Sequence, residues 1–298
     1  MTLLDKLRGI SEPVITVHDG RFHADELLAI AVIKIALPDR MIRINRSRDP
    51  FAWERSDLVL DVGGARNPFD HHRPDNPKHP NGVPYATCGL VLDAIEEDVK
   101  LRKQLYIDLF YTVEWDDNTA PGEITSPNWE LKPNLLAWVS QFQPLREEAP
   151  SEYEMREYFD RALEMVTLIY KRVRKNAQLK LKNREVADKA TFVVKDGFLI
   201  VPNAKTPYQR YMFEHPEITG AIVPEPNGRG YTIKIWREGP RDPVLRGWWP
   251  STWCGLSDFE LEQVARVRGL VYCNNNGSVV KCRDFKAAEQ ALRWVSRG

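Results

Sequence analysis

Short, almost wholly apolar runs alternate with longer helical stretches over the first third of the chain. Pro13–Val17 (PVITV) reads as a strand, and it is followed by a polar loop and then by ADELLAIAVIKIAL, which has the length and alanine and leucine content of a helix. MIRIN (41–45) and DLVLDV (57–62) repeat the strand pattern. Strands of this kind separated by helices predict βαβ units and a mostly parallel sheet covered on both faces. Residues 87–97, 100–115 and 129–142 read as helices, with Pro121, Pro127 and Pro133 blurring their limits.

The pattern changes in the second half. Residues 151–188 hold neither glycine nor proline and open with SEYE, where Ser151 and Glu154 have capping-box spacing, so one long helix or two end to end is expected. TFVV, FLIV, GAIVP and YTIKIW follow as short strands set off by turn residues, and the chain closes with helix 258–268, strands 269–273 and 278–281, and helix 285–295. The fold class is α/β. A parallel-sheet domain spans residues 1–185 including the long connector helix, a smaller α+β domain spans 186–298, and the active site is expected in the cleft.

Composition narrows the function classes. The chain has 298 residues, 42 basic against 42 acidic, with 28% charged and 43% hydrophobic positions. This excludes a disordered chain and argues against a generically basic nucleic-acid coat protein or a polybasic membrane binder. Cys88, Cys254, Cys273 and Cys282 form no C-x-x-C pair, which argues against a secreted disulfide framework or a cysteine-rich zinc site and for a reducing compartment. Asp5, Lys6 and Arg8 interrupt any signal peptide, and the apolar run 27–37 is broken by Lys34 and falls well short of the roughly 20 residues of a membrane span. A cytoplasmic protein with no membrane partner is expected.

Histidine is unevenly spread: His18, His23, His71, His72 and His79 account for five of six. Three clusters fall at the carboxyl ends of predicted strands, where open α/β sheets bind ligands. HDGRFHADE supplies His18, His23, Asp25 and Glu26, DLVLDVGG supplies Asp61 before two glycines, and FDHH supplies Asp70, His71 and His72. Mixed imidazole and carboxylate donors suit a divalent transition metal, with manganese a good candidate and iron or zinc left open. The ligands outnumber those of one tetrahedral zinc, which points to two metal ions bridged by a carboxylate.

The ordered runs V-x-H-D-G-x-F-H-A-D-E, R-S-R-D-P (46–50), D-L-V-L-D-V-G-G, D-H-H and T-C-G-L-V-L resemble the melanocyte-proliferating-gene (MYG) family, a branch of the DHH phosphoesterase superfamily. W-C-G-L-S-D-F-E-L and G-L-V-Y-C extend the likeness loosely to the carboxyl end. The resemblance implies a two-lobed DHH-type phosphoesterase with two divalent ions, Mn²⁺ first and Mg²⁺ as the alternative. It implies His18, His23, Asp25, Asp61, His71 and Asp117 as ligands, with Asp61 bridging. His72 would contact the scissile phosphate and Asp70 would orient His71. The implied activity is metal-assisted 3′-5′ exonuclease hydrolysis of RNA or short oligonucleotides. A small-substrate phosphohydrolase acting on a dinucleotide or pyrophosphate, and a non-catalytic RNA- or metal-binding module, are the alternatives. Oligomeric state stays open, with a dimer among the options.

Several features bear on substrate. Glu114 stands where the fourth motif of the family has its first Asp, and Trp115 and Asp116 add bulk and charge. Residues 171–184 carry seven basic and no acidic residues, so Lys171 and Arg174, with Arg48, are candidate substrate-binding cations. Val279 and Val280 occupy a segment that is glycine-rich in related proteins, leaving Lys281 and Arg283 as candidate contacts there. Trp248, Trp249 and Trp253 form a candidate stacking platform for bases.

Overall fold

Val14–Val17 (β1), Arg43–Arg46 (β2) and Leu58–Val59 (β3) form a three-stranded parallel sheet in the order β2–β1–β3, with Ile15 opposite both Ile44 and Leu58. This is the computed structural model of the chain, and it describes residues 2–80, 82–118, 135–145, 147–239 and 242–297. The chain divides into two compact units, residues 1–181 and 182–298.

In the first unit, the helix predicted from its alanine and leucine content is Ala24–Ala36. Leu3–Arg8 precedes it as a short capped helix that the pattern did not announce. These are α2 and α1, and Pro50–Glu54 is α3. Every residue of α2 from Ala24 to Ile33 is buried, which explains why its apolar positions show no one-sided stripe. It packs on Thr87–Ile95 (α4). The stretch predicted as helix 100–115 is α5 (Val99–Leu105), one π turn (Tyr106–Phe110) and α6 (Tyr111–Asn118). Of the predicted helix 129–142, Leu135–Ser140 forms α7, while 129–134 lie outside the described residues.

Residues Glu152–Lys189 form a single 38-residue helix, α8. Ser151 and Glu154 cap it reciprocally, with Ser151 N–H to Glu154 Oε2 at 2.8 Å and Glu154 N–H to Ser151 Oγ at 3.3 Å. Phe159, Ala162, Leu163, Val166, Tyr170 and Ala177 follow helical spacing into the core shared with α2 and α4. No helix among the described residues is long and apolar enough to cross a membrane.

The second unit contains β4 (Val193–Lys195), β5 (Phe198–Ile200), α9 (Gln209–Glu214), β6 (Gly220–Pro224), β7 (Tyr231–Ile235), β8 (Gly247–Trp248), α10 (Asp258–Ala265), β9 (Leu270–Cys273), β10 (Val279–Cys282), α11 (Phe285–Ala291) and β11 (Ser296–Arg297). A mixed sheet runs β4–β5–β6–β7–β10–β9, parallel between β5 and β6 and antiparallel elsewhere. Ile222, Ile233, Ile235 and Val280 face one core with Leu261 and Ala288, while Leu199 and Ala221 face another with Tyr208 and Met212. The proposed platform is corrected here. Trp249 and Trp253 stack on each other at 5.5 Å inside the core, where they exclude water rather than meet it, and Trp248 alone of the three is exposed.

Arg246 pins the unit together. Its buried guanidinium donates through Nη1 to the carbonyls of Met212, His215 and Ile218 at 2.9–3.0 Å, holding the end of α9 against the start of β6. Arg246→Leu strands three carbonyl acceptors and is expected to cost about 2–4 kcal/mol. Urea unfolding of the full chain, followed by tryptophan fluorescence, measures this; a change below ~0.5 kcal/mol would contradict the assignment.

Candidate metal centre

The centre starts where β3 stops. Leu60 still donates to Thr16 carbonyl at 2.8 Å, but the next residue, Asp61, turns into the left-handed region with φ 58 and sends its N–H to Phe69 carbonyl at 3.1 Å. A non-glycine residue held there costs ~1–2 kcal/mol, and aspartate is among the few that tolerate it. Gly63 and Gly64, with φ 105 and 60, carry the chain away at once. The strand is therefore shorter than DLVLDV predicts, and the break leaves the Asp61 carboxyl 4% exposed between two histidine-bearing loops.

The first loop ends at the amino terminus of α2. His18 Nδ1 donates to Asp19 carbonyl at 2.8 Å, which leaves Nε2 facing Glu26 Oε1 at 3.2 Å and Asp61 Oδ2 at 3.4 Å. Glu26 receives the His23 backbone N–H on both carboxylate oxygens at 2.8 Å, fixing the entry to the helix. His23 and Asp25 are thus presented from the first turn.

The second loop brings His71, with Nδ1 3.3 Å from Asp61 Oδ1 and 3.6 Å from Asp25 Oδ2, and Nε2 3.1 Å from Asp117 Oδ2 on α6. Thr87 Oγ1, at the start of α4, lies 3.2 Å from His71 Nδ1 and 3.3 Å from Asp61 Oδ1. Asp70 does not orient His71 as expected. Its Oδ1 accepts from His72 N–H at 3.0 Å and His72 Nδ1 at 2.9 Å, and its Oδ2 accepts from Gly64 N–H at 2.6 Å. The reason is local: the carboxylate closes a turn onto the residue two positions ahead. His71 takes its orientation from Thr87 instead.

Three groups of donor atoms therefore lie within 4.8 Å of one another: His18, His23, Glu26 and Asp61; Asp61, His71 and His72; and His23, Asp25 and Asp117. All six expected ligands are present, and Asp61 and His23 each belong to two groups. Glu26, gathered in the first motif but left out of the ligand set, joins them. Burial works against a charge on His18, but hydrogen bonds to Asp61 and Glu26 win and push its pKa up to about 10. Burial pushes Asp117 up to about 9, with Asp25 and Asp61 adding to it, and Glu26 up to about 8. Asp25 is fully buried; its carboxyl adjoins that of Glu26 and lies 3.6 Å from His71 Nδ1, but neither oxygen has a well-placed N–H or O–H donor among the described residues. A buried carboxylate without donors is costly, and a cation in contact with it removes that cost. The donor set fits divalent metal.

The surroundings sort the remaining candidates. A cavity of about 300 Å³ is lined by His18, His23, Asp61, His72, Arg48 and Trp53. Arg48 is thus at the centre, in a mostly exposed pair with Asp19 at 3.2 Å. Trp53, which the sequence did not single out, is fixed there by its indole N–H on Ser47 carbonyl at 2.9 Å. Arg174 is not at the centre. Its guanidinium grips Glu96 Oε2 through two nitrogens at 2.8 and 3.2 Å, and it lines a separate cavity with Val32 and Ala36, ~16 Å along α2 from Asp25. Lys171 is exposed one turn before it. In the second unit, Lys281 faces Glu225 at 3.6 Å and Arg283 faces Asp258 at 3.2 Å.

Glu114 and His79 form a buried brace behind the ligands. Glu114 Oε2 meets His79 Nε2 at 2.8 Å, and Oε1 accepts Ala86 N–H at 3.2 Å, one residue before Thr87. His79 also stacks on Tyr85 at 3.8 Å. The longer acid at the fourth motif therefore touches scaffold and ties α6, which carries Asp117, to the start of α4. Gly89 makes room for it: a Cβ there would sit 1.9 Å from Glu114 Oε1. Gly89→Ala is expected to lower stability by about 1–3 kcal/mol, and Glu114→Asp in the same chain to recover part of the loss. Thermal melting of the singles and the double checks this; strictly additive losses would contradict the contact.

The family model described as uncharacterised protein family UPF0160, MYG1 exonuclease, matches residues 14–293. The MYG1 protein of Schizosaccharomyces pombe is 24% identical, over 94% of this chain and 96% of its own length. The MYG1 exonucleases of Rattus norvegicus and Homo sapiens are 27% and 26% identical, each over 91% of this chain and over 81% and 82% of their own lengths. No solved structure matches. A match that runs from β1 through α11 and includes every residue of the candidate metal centre shows that the chain belongs to the MYG1 family.

Proposed function

We propose that the protein is a cytoplasmic, divalent-metal phosphodiesterase of the DHH type, acting as a 3′-5′ exonuclease on RNA or short oligonucleotides. The observation that carries this reading is the place of Asp61, shared between donor groups and flanked by the unsatisfied carboxylate of Asp25. The exonuclease names of the mammalian relatives support the reaction class at about a quarter identity.

His18, His23, Asp25, Asp61, His71 and Asp117 would hold two cations, Mn²⁺ first and Mg²⁺ as the alternative. Such ions supply Lewis acidity toward phosphoryl oxygens and make water a nucleophile near neutral pH. The chain's own groups do the rest. Burial works against ionisation of Asp70, but the backbone N–H groups of His72 and Gly64 outweigh it and hold the carboxyl below its ordinary range. Asp70 thus accepts from His72 Nδ1–H, leaving Nε2 of a 65% exposed ring to meet a substrate oxygen or give a proton to the leaving group. Arg48 can leave its exposed partner Asp19 for a phosphate, because such surface pairs are worth little. Trp53 offers a flat wall beside it.

A small phosphodiester or dinucleotide is the second reading. It is favoured by the 300 Å³ size of the cavity and by the engagement of Arg174 with Glu96, which removes one cation from the expected polymer track.

The test is incubation with end-labelled single-stranded RNA and DNA, a dinucleotide and pyrophosphate, each with Mn²⁺, Mg²⁺ or EDTA. Stepwise shortening of RNA from the 3′ end with Mn²⁺, and none with EDTA, is expected. Asp61→Ala should lower the rate by more than ~100-fold, beyond what loss of a residue behind a ligand costs, while keeping the fold by circular dichroism. Turnover of every substrate in EDTA, or wild-type turnover in the variant, would sink the reading.

A further inference from the structure

The second unit carries a groove of about 870 Å³. Three aromatic side chains line it: Phe213 from α9, Trp236 just beyond β7, and Trp248 from β8. Phe213 and Trp248 are 37% and 44% exposed, and Phe213 meets Trp236 at 5.4 Å between ring centroids. Exposed aromatic faces clustered in one groove mark a binding surface rather than chance exposure. The Trp236 indole nitrogen is buried and has no hydrogen-bond partner among the described residues.

The sheet explains why the groove exists. Lys234 and Trp236 alternate with Ile233 and Ile235, which point into the core shared with α10 and α11, so the lysine and the tryptophan share the opposite face. Val279 on β10 pairs directly with Lys234 and joins them. On that face Met212 of α9 packs against Leu199 and Ala221 from β5 and β6, and the part over β7 and β10 is left as the groove.

Charge selects the occupant. Lys234 and Arg237 line the groove, no carboxylate does, and neither cation makes an ion pair among the described residues. Elsewhere in this unit Lys195, Arg210, Lys281 and Arg283 each face an Asp or Glu, while others such as Lys205 and Arg266 are, like the groove pair, in no ion pair among the described residues. Neutral donors complete the wall. Asn276 Oδ1 is taken by Asn274 Nδ2 at 2.6 Å and by Ser278 Oγ at 2.6 Å, which leaves the Asn276 NH₂ for an outside acceptor. Flat π-faces beside unpaired cations and amide donors are what a single-stranded polyanion with aromatic bases requires.

We propose that this groove binds single-stranded nucleic acid, with bases stacked on Phe213, Trp236 and Trp248 and phosphates on Lys234 and Arg237. The proposal rests on the nuclease reading only for the identity of the polyanion. It moves the second unit's grip away from Lys281 and Arg283, the pair the sequence offered, to a groove with no carboxylate among its lining residues.

The test separates binding from cleavage. Fluorescence anisotropy of the full chain with a fluorescein-labelled oligouridylate, in EDTA so that nothing is cut, measures affinity as a function of salt. Phe213→Ala and Trp248→Ala are each expected to weaken binding about tenfold, as loss of a base-stacking face does. Lys234→Gln with Arg237→Gln should weaken it and lower the magnitude of the salt slope by about 1.4, two phosphate contacts' worth. Mn²⁺-dependent hydrolysis of bis(p-nitrophenyl) phosphate should be unchanged in all of them, which also shows that they fold. Unchanged oligouridylate affinity in the aromatic variants overturns the groove, and so does polyglutamate competing as well as RNA. Failure of the wild type to cut any phosphodiester would strike the nuclease reading instead and leave the affinity comparison standing.

Discussion

Everything chemical in the first unit depends on one backbone reversal, the left-handed turn at Asp61 that ends β3 beside the central strand. Without it Asp61 would continue the strand with its carboxyl on one face of the sheet. With it, the carboxyl sits between His18 and His71 at 3.4 and 3.3 Å, and the glycines behind it release the chain into the loop of Asp70, His71 and His72. The cost of that conformation, ~1–2 kcal/mol, is of the order that the surrounding hydrogen bonds from Thr87 and to Phe69 can offset together. The strain is local and falls on a residue of the candidate metal centre, the kind of place where strained backbone clusters.

The second constraint is charge. Asp25, Asp61, Asp117 and Glu26 crowd a buried space with His18, His23 and His71, and His18, Asp117 and Glu26 are all shifted toward holding a proton. The layers behind are neutral or already satisfied. Asp70 is spent on His72, Thr87 on Asp61 and His71, and Glu114 on His79 and Ala86. Each of these ties two segments of the chain together, so the donor set is held from several directions at once.

Much of this was legible in the sequence because it is local. Apolar strands, polar loops at their ends and the DVGG break are patterns of neighbouring residues, and they placed the candidate donors of the first two motifs and the DHH loop. What the sequence misassigned depends on distant partners. The turn that aims Asp70 at His72 rather than His71 is a matter of side-chain direction, and His79 has no meaning until α6 brings Glu114 to it. Arg174 is basic in any reading, but Glu96, 78 positions earlier, decides where it points. Trp249 and Trp253 look like surface aromatics in a loop rich in turn residues, and only the packing of the second sheet makes them core. The groove over β7 and β10 was invisible for the same reason: Phe213, Trp236 and Trp248 come from three separate elements, one of them a six-residue helix that the pattern did not announce.

The proposed two-cation centre would need Asp61 to be shared between its ions. An electron paramagnetic resonance titration of metal-free protein with Mn²⁺ tests it most directly. The account predicts two ions bound per chain, with the signal weakened and broadened by exchange coupling at the second equivalent, as in sites whose ions sit about 3.5–4 Å apart. Saturation at a single uncoupled ion, or two ions whose signals simply add, would contradict it.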